Sequence, residues 1–230
     1  MDELVRHIQF PLYFDSNRLK EDVQKVMNTN WVDHYNQNDY DGKWTSIALM
    51  SANGKSDNIY AFNFDSKEII ATEALEVCTY FKEILDSFHF DKAAVRLLNL
   101  SAGAQIKPHS DHCLGYEDGF FRLHIPIITN PNVIFILDSK RLIMNEGECW
   151  YINANFTHSV ANNGSEDRIH LVIDGIRNDW SDQLFFENHT ENQFQKPVPE
   201  MDEKTKQLVI EQLKLMNTDV ANEMIEKLSK

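Results

Sequence analysis

The feature of this sequence that most constrains its fold is a succession of short strand-like segments between residues 94 and 175. Each segment is rich in Val, Ile, Leu, Phe or Tyr, and turn-forming residues such as Ser101-Ala102-Gly103 and Asn145-Glu146-Gly147 separate them. The segments are 94–100, 121–128, 133–138, 141–144, 149–154, 158–161 and 168–175. Because no helical pattern interrupts them, they indicate an antiparallel sandwich or barrel and not a βαβ fold. We predict a mainly β protein with a double-stranded β-helix, or jelly roll.

Apolar residues recur at helical spacing before this β region. We expect a first helix after Asp15-Ser16, which offers two N-cap residues, and a second over about residues 72–88. The apolar stripe of the second helix includes Val77 and is expected to face the core. Between the two helices, residues 44–64 are richer in strand formers and are broken by the turn dipeptide Asn53-Gly54.

The C-terminal end of the chain is also helical in pattern. It follows Pro197-Val198-Pro199, which suggest a short linker, and it has an expected break at Asn217-Thr218. The apolar positions expected on one side are Val209, Leu213, Met216, Val220 and Met224. We predict a jelly-roll domain over 1–185 with N-terminal helices packed on it, and a linker with a small helical extension over 186–230.

Composition and charge exclude several classes of function. The net charge of −14 repels phosphate backbones, and no basic stripe is present, so we expect no nucleic acid partner. Cys78, Cys113 and Cys149 form no CxxC pair, which argues against a disulfide framework or a thiolate zinc site. No apolar stretch approaches the roughly 20 residues of a membrane span. We expect a cytoplasmic protein without a membrane partner; the oligomeric state stays open.

A His-x-Asp motif is the first sign of chemistry. Side chains at positions i and i+2 of a strand leave the same face, so His109 and Asp111 can point at one centre. His112 is a rival ligand, but in a regular strand it faces the other way. His158, at the head of a later strand, could supply a third ligand. Two histidines and one carboxylate on one face are typical of non-haem Fe(II) oxygenases.

Arginines inside the predicted barrel point to an anionic ligand. Arg168 opens the last strand ten residues after His158, and its guanidinium fork suits the distal carboxylate of a keto acid. Arg122 and His124 are again at positions i and i+2 of one strand and share a face. A buried arginine without a partner is costly, so each needs either a salt bridge or a bound anion.

Together these segments resemble the aspartyl/asparaginyl β-hydroxylase family, which includes the bacterial free-proline hydroxylases of the 2-oxoglutarate-dependent dioxygenase superfamily. The matching pieces are Pro108-His109-Ser110-Asp111, Arg122-Leu123-His124-Ile125-Pro126, the run from Asn145 to Trp150, the run from Thr157 to Asn162, and the run from Arg168 to Asp174. Their combined spacing is far more specific than any one motif.

The resemblance implies a site and a reaction. It places His109, Asp111 and His158 on Fe(II) and Arg168 on the side-chain carboxylate of 2-oxoglutarate. Arg122 and His124 would lie in the same pocket, against a carboxylate of cosubstrate or substrate. The expected reaction consumes 2-oxoglutarate and O2 and hydroxylates an unactivated C–H bond.

The substrate is predicted from the same resemblance. The animal aspartyl/asparaginyl enzymes lack the carboxylate that corresponds to Asp111, whereas the bacterial proline hydroxylases keep it, so a free, proline-like amino acid is favoured. Its carboxylate needs a cation, and Arg96 and Arg122 are the candidates. Trp44 could form a wall of the pocket, although core packing is the favoured explanation for it.

Three alternatives remain at this point. One is β-hydroxylation of Asp or Asn in a short peptide or protein. Another is a cupin-like metalloprotein without redox chemistry, such as an isomerase or binding module with Zn or Mn on the same ligands. In the third the barrel is a scaffold and the C-terminal helices bind a partner.

Overall fold

The computed structural model describes residues 3–60, 69–187, 189–196, 203–216 and 218–228. Within these ranges there are thirteen strands and six α-helices. The strands are β1 (His7–Tyr13), β2 (Val32–Asp33), β3 (Tyr40–Asp41), β4 (Trp44–Ser51), β5 (Ile70–Ala71), β6 (Lys92–Leu100), β7 (Gln105–His109), β8 (Phe120–Ile128), β9 (Val133–Leu137), β10 (Lys140–Leu142), β11 (Glu148–Ile152), β12 (His158–Asn162) and β13 (Arg168–Ile176). The helices are α1 (Ser16–Val26), α2 (Glu73–Glu76), α3 (Thr79–Ser87), α4 (Asp179–Phe186), α5 (Glu203–Met216) and α6 (Asp219–Leu228).

The strands form two antiparallel sheets. The larger sheet has the order β1-β11-β8-β13-β6-β4-β2, with β5 paired to β4, and the smaller has the order β10-β9-β12-β7-β3. Their facing side chains form one apolar cluster, to which Leu98 and Val172 contribute from the larger sheet and Ile106 and Val160 from the smaller. The prediction of a mainly β jelly roll is confirmed.

The two faces of the larger sheet carry different residues because side chains alternate along a strand. In β13, Ile169, Leu171 and Ile173 are buried in the main core, against helices such as α1 and α3. Arg168 lies on the opposite face and lines a cavity inside the jelly roll. The alternation therefore puts apolar residues under the helices and polar ones inside the barrel.

The predicted strands are all present, and five further strands were missed: β1, β7 and the two-residue strands β2, β3 and β5. β1 contains Pro11 and forms one edge of the larger sheet, where a missing N–H is tolerated. The register of β1 shifts between Phe10 and Tyr13, beside this proline. β7 was not predicted as a separate strand because Ile106 is the only strand-forming residue among its five, which also include Pro108.

The first predicted helix is confirmed, with Asp15 as its N-cap, since the Asp15 side chain accepts hydrogen bonds from the N–H groups of Asn17 and Arg18. The second was wrong as a single helix. It is divided into α2 and α3, and Val77 lies between them with 50% of its surface exposed, outside the apolar stripe.

The chain divides into two compact units, Asp2–Gln195 and a C-terminal unit that begins at Lys196. The predicted domain boundary after residue 185 falls within α4. In the C-terminal unit, α5 and α6 are helical as predicted, but Met216, Val220 and Met224 are more than half exposed, and the buried apolar residues include Ile210 and Ala221. The predicted linker at residues 197–199, the break at Asn217 and the end of the 44–64 segment lie outside the described residues. None of the described helices has the length and apolar character that a bilayer crossing requires.

Candidate metal centre

Three potential metal ligands meet at one end of the smaller sheet. His109, Asp111 and His158 each offer one ligand atom, and these atoms lie within 4.8 Å of one another. The Nε2 atom of His109 is 3.9 Å from Oδ1 of Asp111. No other group of this kind occurs in the part of the chain that the structure describes. The three residues that the sequence predicted as ligands are therefore brought together.

Strand pairing positions the two histidines. His158 pairs with His109, and Val160 pairs with Ile106, so β7 has one extra residue between the two pairs. This bulge contains Pro108, which has no N–H to donate to the ladder. Bulges redirect side chains and are frequent beside active sites. The bulge therefore aims His109 toward the ring of His158, 4.3 Å away between centroids.

Each imidazole is held in a tautomer that can bind a metal. Nδ1 of His109 is 2.8 Å from the carbonyl oxygen of Lys107, and Nδ1 of His158 is 3.0 Å from that of Phe156. A carbonyl oxygen only accepts, so Nδ1 must carry the proton in both rings. The lone pair is then on Nε2, which is free for a metal.

Asp111 reaches the cluster in a different way from the one predicted. β7 ends at His109, so strand alternation does not place Asp111. Instead, its N–H donates to the carbonyl of Ala154 at 2.8 Å, and its Oδ2 accepts a 2.6 Å hydrogen bond from Nη1 of Arg122. Burial raises the pKa of the Asp111 carboxyl, but Arg122, His158 and His109 together outweigh this effect, so the pKa is lowered. His112, the rival ligand, is exposed.

Burial keeps one of the two histidines, His158, in the neutral form that can bind a cation. It lowers the pKa of His158 to about 4, with a further lowering by His109. Metal binding requires the neutral imidazole and the ionised carboxylate. The electrostatics of the cluster therefore favour the states of His158 and Asp111 that can coordinate a cation.

The cluster opens into a cavity of about 310 Å³ inside the jelly roll. All the residues predicted for the site line this cavity. They are His109, Asp111, His158, Arg168, Arg122, His124, Arg96 and Trp44.

Arg168 is a buried cation without a counter-ion in the described part of the chain. It is 2% exposed, and its Nη2 lies 3.0 Å from Nδ1 of His170. Its Nε has no hydrogen-bond partner there, and burial lowers its pKa to about 9. An unpaired buried guanidinium is costly, so this group suits an anionic ligand in the cavity. The cavity lining thus offers ligands for a metal and a buried cation for a carboxylate.

The other two predicted arginines are paired. Arg96 and Arg122 both donate to Asp174, at distances of 2.5 Å from Nη2 of Arg96 and 2.6 Å from Nε of Arg122. His124 is 7% exposed and its Nδ1 has no partner among the described residues. Burial lowers the pKa of His124 well below its usual value, so the ring is neutral.

His34 belongs to the cavity although the sequence analysis did not single it out. Its ring stacks on Trp44 with centroids 3.6 Å apart, and both residues line the cavity. Burial lowers the pKa of His34 to about 4, with the Arg96 charge as the next cause. His34 follows the two-residue strand β2, which is too short to have a periodicity that could have revealed it.

A larger cavity of about 560 Å³ is lined by Arg141, Leu142 and Met144 together with Arg168 and Phe135. It contains no cluster of potential metal ligands. The smaller cavity is therefore the candidate site, because both the ligand cluster and Arg168 line it, whereas the larger cavity has Arg168 alone of these residues.

Comparison with known proteins identifies bacterial relatives. The chain is 30% identical over 172 residues to an L-proline cis-4-hydroxylase from Rhizobium meliloti (strain 1021), a match that covers 73% of this chain and 60% of that protein. It is 26% identical to L-proline cis-3-hydroxylase 1 from Streptomyces sp, covering 73% and 59%. The matched part thus spans about three fifths of the length of these relatives.

A solved structure shares the fold. It is an oxidoreductase of the 2OG-Fe(II) oxygenase family from Burkholderia pseudomallei, with a TM-score of 0.50, 11% identity, and coverage of 75% of this chain and 86% of that one. At this identity the likeness concerns the jelly roll alone.

A family model that matches most of the chain identifies the family. The model of the family described as aspartyl/asparaginyl beta-hydroxylase matches residues 14–178, which include the cluster of potential metal ligands, Arg168 and Asp174. The chain belongs to the aspartyl/asparaginyl β-hydroxylase family.

Proposed function

We propose that this protein is an Fe(II)- and 2-oxoglutarate-dependent hydroxylase that acts on a free amino acid similar to proline. The observation that carries the proposal is that Arg168, a buried cation without a counter-ion among the described residues, lines the same cavity as the His109–Asp111–His158 cluster. A metal site alone would suit many activities. A metal site with a separate carboxylate receptor suits a chelating keto acid.

The roles of the residues follow from this arrangement. His109, Asp111 and His158 would hold Fe(II) on one face, and Arg168 would bind the distal carboxylate of 2-oxoglutarate. When bound, iron and 2-oxoglutarate supply the oxidising chemistry: one oxygen atom of O2 enters the substrate C–H bond, and the other enters succinate as CO2 leaves. The protein orients the reactants, and the buried apolar lining, with Phe135 and Val160, excludes water.

The size of the cavity favours a small substrate. Its volume of about 310 Å³ is at the lower end of the range for ligand pockets, about 300–1,000 Å³, and it must hold 2-oxoglutarate as well. Two buried donors in its lining, Nε1 of Trp44 and Nε of Arg96, have no hydrogen-bond partner in the described chain. A substrate carboxylate could accept from both. The relatives named as L-proline hydroxylases favour the same class of substrate.

The test is a turnover assay with a panel of substrates. Purified protein with Fe(II), ascorbate and 2-oxoglutarate is incubated with each of the twenty amino acids and with short peptides that contain Asp or Asn. We expect succinate together with a product 16 Da heavier for proline or a similar free amino acid. Product from a peptide only would favour Asp/Asn β-hydroxylation. Absence of succinate with every substrate, from protein that binds the metal, would overturn the proposal in favour of a non-redox metalloprotein.

A further inference from the structure

Asp174 lies at the centre of a buried ionic network, and the proposed function gives it no role of its own. It is 1% exposed and on β13, directly opposite Arg122 of β8 in the strand register. Its carboxylate accepts hydrogen bonds from Nη2 of Arg96 at 2.5 Å and from Nε and Nη2 of Arg122 at 2.6 and 3.2 Å. One carboxylate therefore holds two arginines.

Arg122 connects this network to the metal-ligand cluster. Two of its nitrogens, Nε and Nη2, face Asp174, and the third, Nη1, donates to Oδ2 of Asp111 at 2.6 Å. A guanidinium is a rigid planar fork, so the two nitrogens bound to Asp174 set the direction of the third. With Oδ2 occupied by Arg122, the other oxygen, Oδ1, is the one that faces His109.

The charges of the network explain how Asp174 affects the contact between Arg122 and Asp111. Arg96 and Arg122 are both buried, and Asp174 and Asp111 are the carboxylates that they contact. If Asp174 lost its charge, Arg122 would have one anionic partner left. A guanidinium fork prefers a bidentate carboxylate, so Arg122 would turn toward both oxygens of Asp111 and compete with a metal for Oδ1.

We propose that Asp174 is a positioning residue that restricts Arg122 to one oxygen of Asp111 and so leaves the other oxygen for the metal. This inference rests on the metal-binding role assigned to Asp111 under the proposed function. Asp174 itself contacts neither the coordinating atoms of the proposed metal ligands nor Arg168. Its effect on the metal site passes through Arg122 alone.

The test measures metal affinity without turnover. Co(II) binding to the purified chain is followed by titration calorimetry and by the visible spectrum of the bound ion, in the absence of 2-oxoglutarate. We expect Asp174→Asn to weaken Co(II) binding by about 10–100-fold, the usual cost of losing a partner that orients a ligand. Asp22→Asn is the matched control, because Asp22 is also 1% exposed but contacts Lys25 and the start of α3. It should leave the affinity within twofold.

A double variant separates positioning from general destabilisation. If Asp174 acts through Arg122, then Asp174→Asn combined with Arg122→Gln should bind Co(II) no more weakly than Arg122→Gln alone. Additive losses, or an unchanged affinity in Asp174→Asn, would overturn the inference. If Asp174→Asn does not fold, Arg122→Lys is the deciding variant, because a single ammonium cannot bridge the carboxylates of Asp174 and Asp111. A wild-type Co(II) affinity in Arg122→Lys would also overturn the inference.

The outcome is distinguishable from failure of the proposed function. A wild-type chain that binds Co(II) but hydroxylates nothing contradicts the function and leaves the role of Asp174 intact. A wild-type chain that binds no Co(II) overturns both.

Discussion

His109 and His158 are direct partners in the ladder between β7 and β12, with their rings 4.3 Å apart. Both are fixed by a hydrogen bond from Nδ1 to a backbone carbonyl two residues earlier in the chain. The backbone of the smaller sheet therefore sets two of the three proposed ligands before any metal arrives. Such preorganisation lowers the cost of binding, because little side-chain freedom remains to be lost.

Replacing either histidine should remove metal binding and turnover together. In His109→Ala and His158→Ala, two ligands remain, so we expect Co(II) affinity to fall at least 100-fold and hydroxylation to disappear. Titration calorimetry and succinate production measure the two effects. His89→Ala is the control, because His89 is exposed and outside the cavity. Retention of full affinity in both ligand variants would show that the cluster does not bind the metal.

Arg168 should affect the cosubstrate more than the metal. Arg168→Ala removes the unpaired buried guanidinium, and a charged hydrogen-bonded pair is worth about 1.5–3 kcal/mol, so the KM for 2-oxoglutarate should rise about 10–100-fold. Co(II) affinity without 2-oxoglutarate should change little. Arg18→Ala, on the exposed surface of α1, is the matched control. A large loss of Co(II) affinity with an unchanged KM would contradict the assignment of Arg168.

Much of the site could be predicted because its residues follow strand periodicity. The alternation in β13 puts Arg168 inside and Ile169 outside, and the same rule places Arg122 and His124 together. These are local patterns that a sequence displays directly. The jelly roll itself follows from similar evidence, since each of its short strands is bounded by turn residues.

What could not be predicted depends on contacts distant in sequence. The pairing of Asp174 with Arg122 is a matter of strand order, since β8 and β13 are neighbours only after the sheet forms. The sequence alone presents Arg122 as available for a ligand, whereas the structure pairs it with Asp174 and Asp111. Asp111 is held by Ala154 of a distant loop, which no spacing rule reveals.

The depressed pKa of His34 should make the protein less stable in acid. Its pKa is about 4 in the folded state, because of burial and the Arg96 charge, against about 6.5 in the unfolded chain. Between these values the unfolded state binds more protons, so the free energy of unfolding falls as the pH falls from 6.5 toward 4. His34→Gln removes this contribution. We expect wild type and variant to diverge by about 1–2 kcal/mol between pH 7 and pH 4.5.

Urea unfolding at a series of pH values measures this divergence. The relevant quantity is the change of each protein's own free energy of unfolding with pH, so a difference in stability between the two proteins at pH 7 does not affect the comparison. Parallel curves for the two proteins would contradict the depressed pKa of His34.

Substitution of Gly147 tests how much the turn before β11 contributes to the stability of the fold. Its φ of +81° is in the left-handed region, its N–H donates to Pro126 at 2.8 Å, and its carbonyl accepts from the N–H of Phe14 at 2.8 Å. A Cβ at this position would lie 2.3 Å from the backbone oxygen of Phe14. Gly147→Ala must therefore shift backbone as well as adopt an unfavourable φ, and we expect a loss of about 3 kcal/mol in the free energy of unfolding.

Gly103→Ala separates the two causes. Gly103 has a similar φ of +77°, but a Cβ there meets no atom within 4 Å. Its substitution should cost only the dihedral penalty, about 1–2 kcal/mol. Chemical denaturation of both variants at pH 7 gives the comparison. Because the two φ angles are similar, the excess loss of stability in Gly147→Ala measures the contact with Phe14. Equal losses in the two variants would mean that the segment with Phe14, which joins β1 to α1, moves away at no cost.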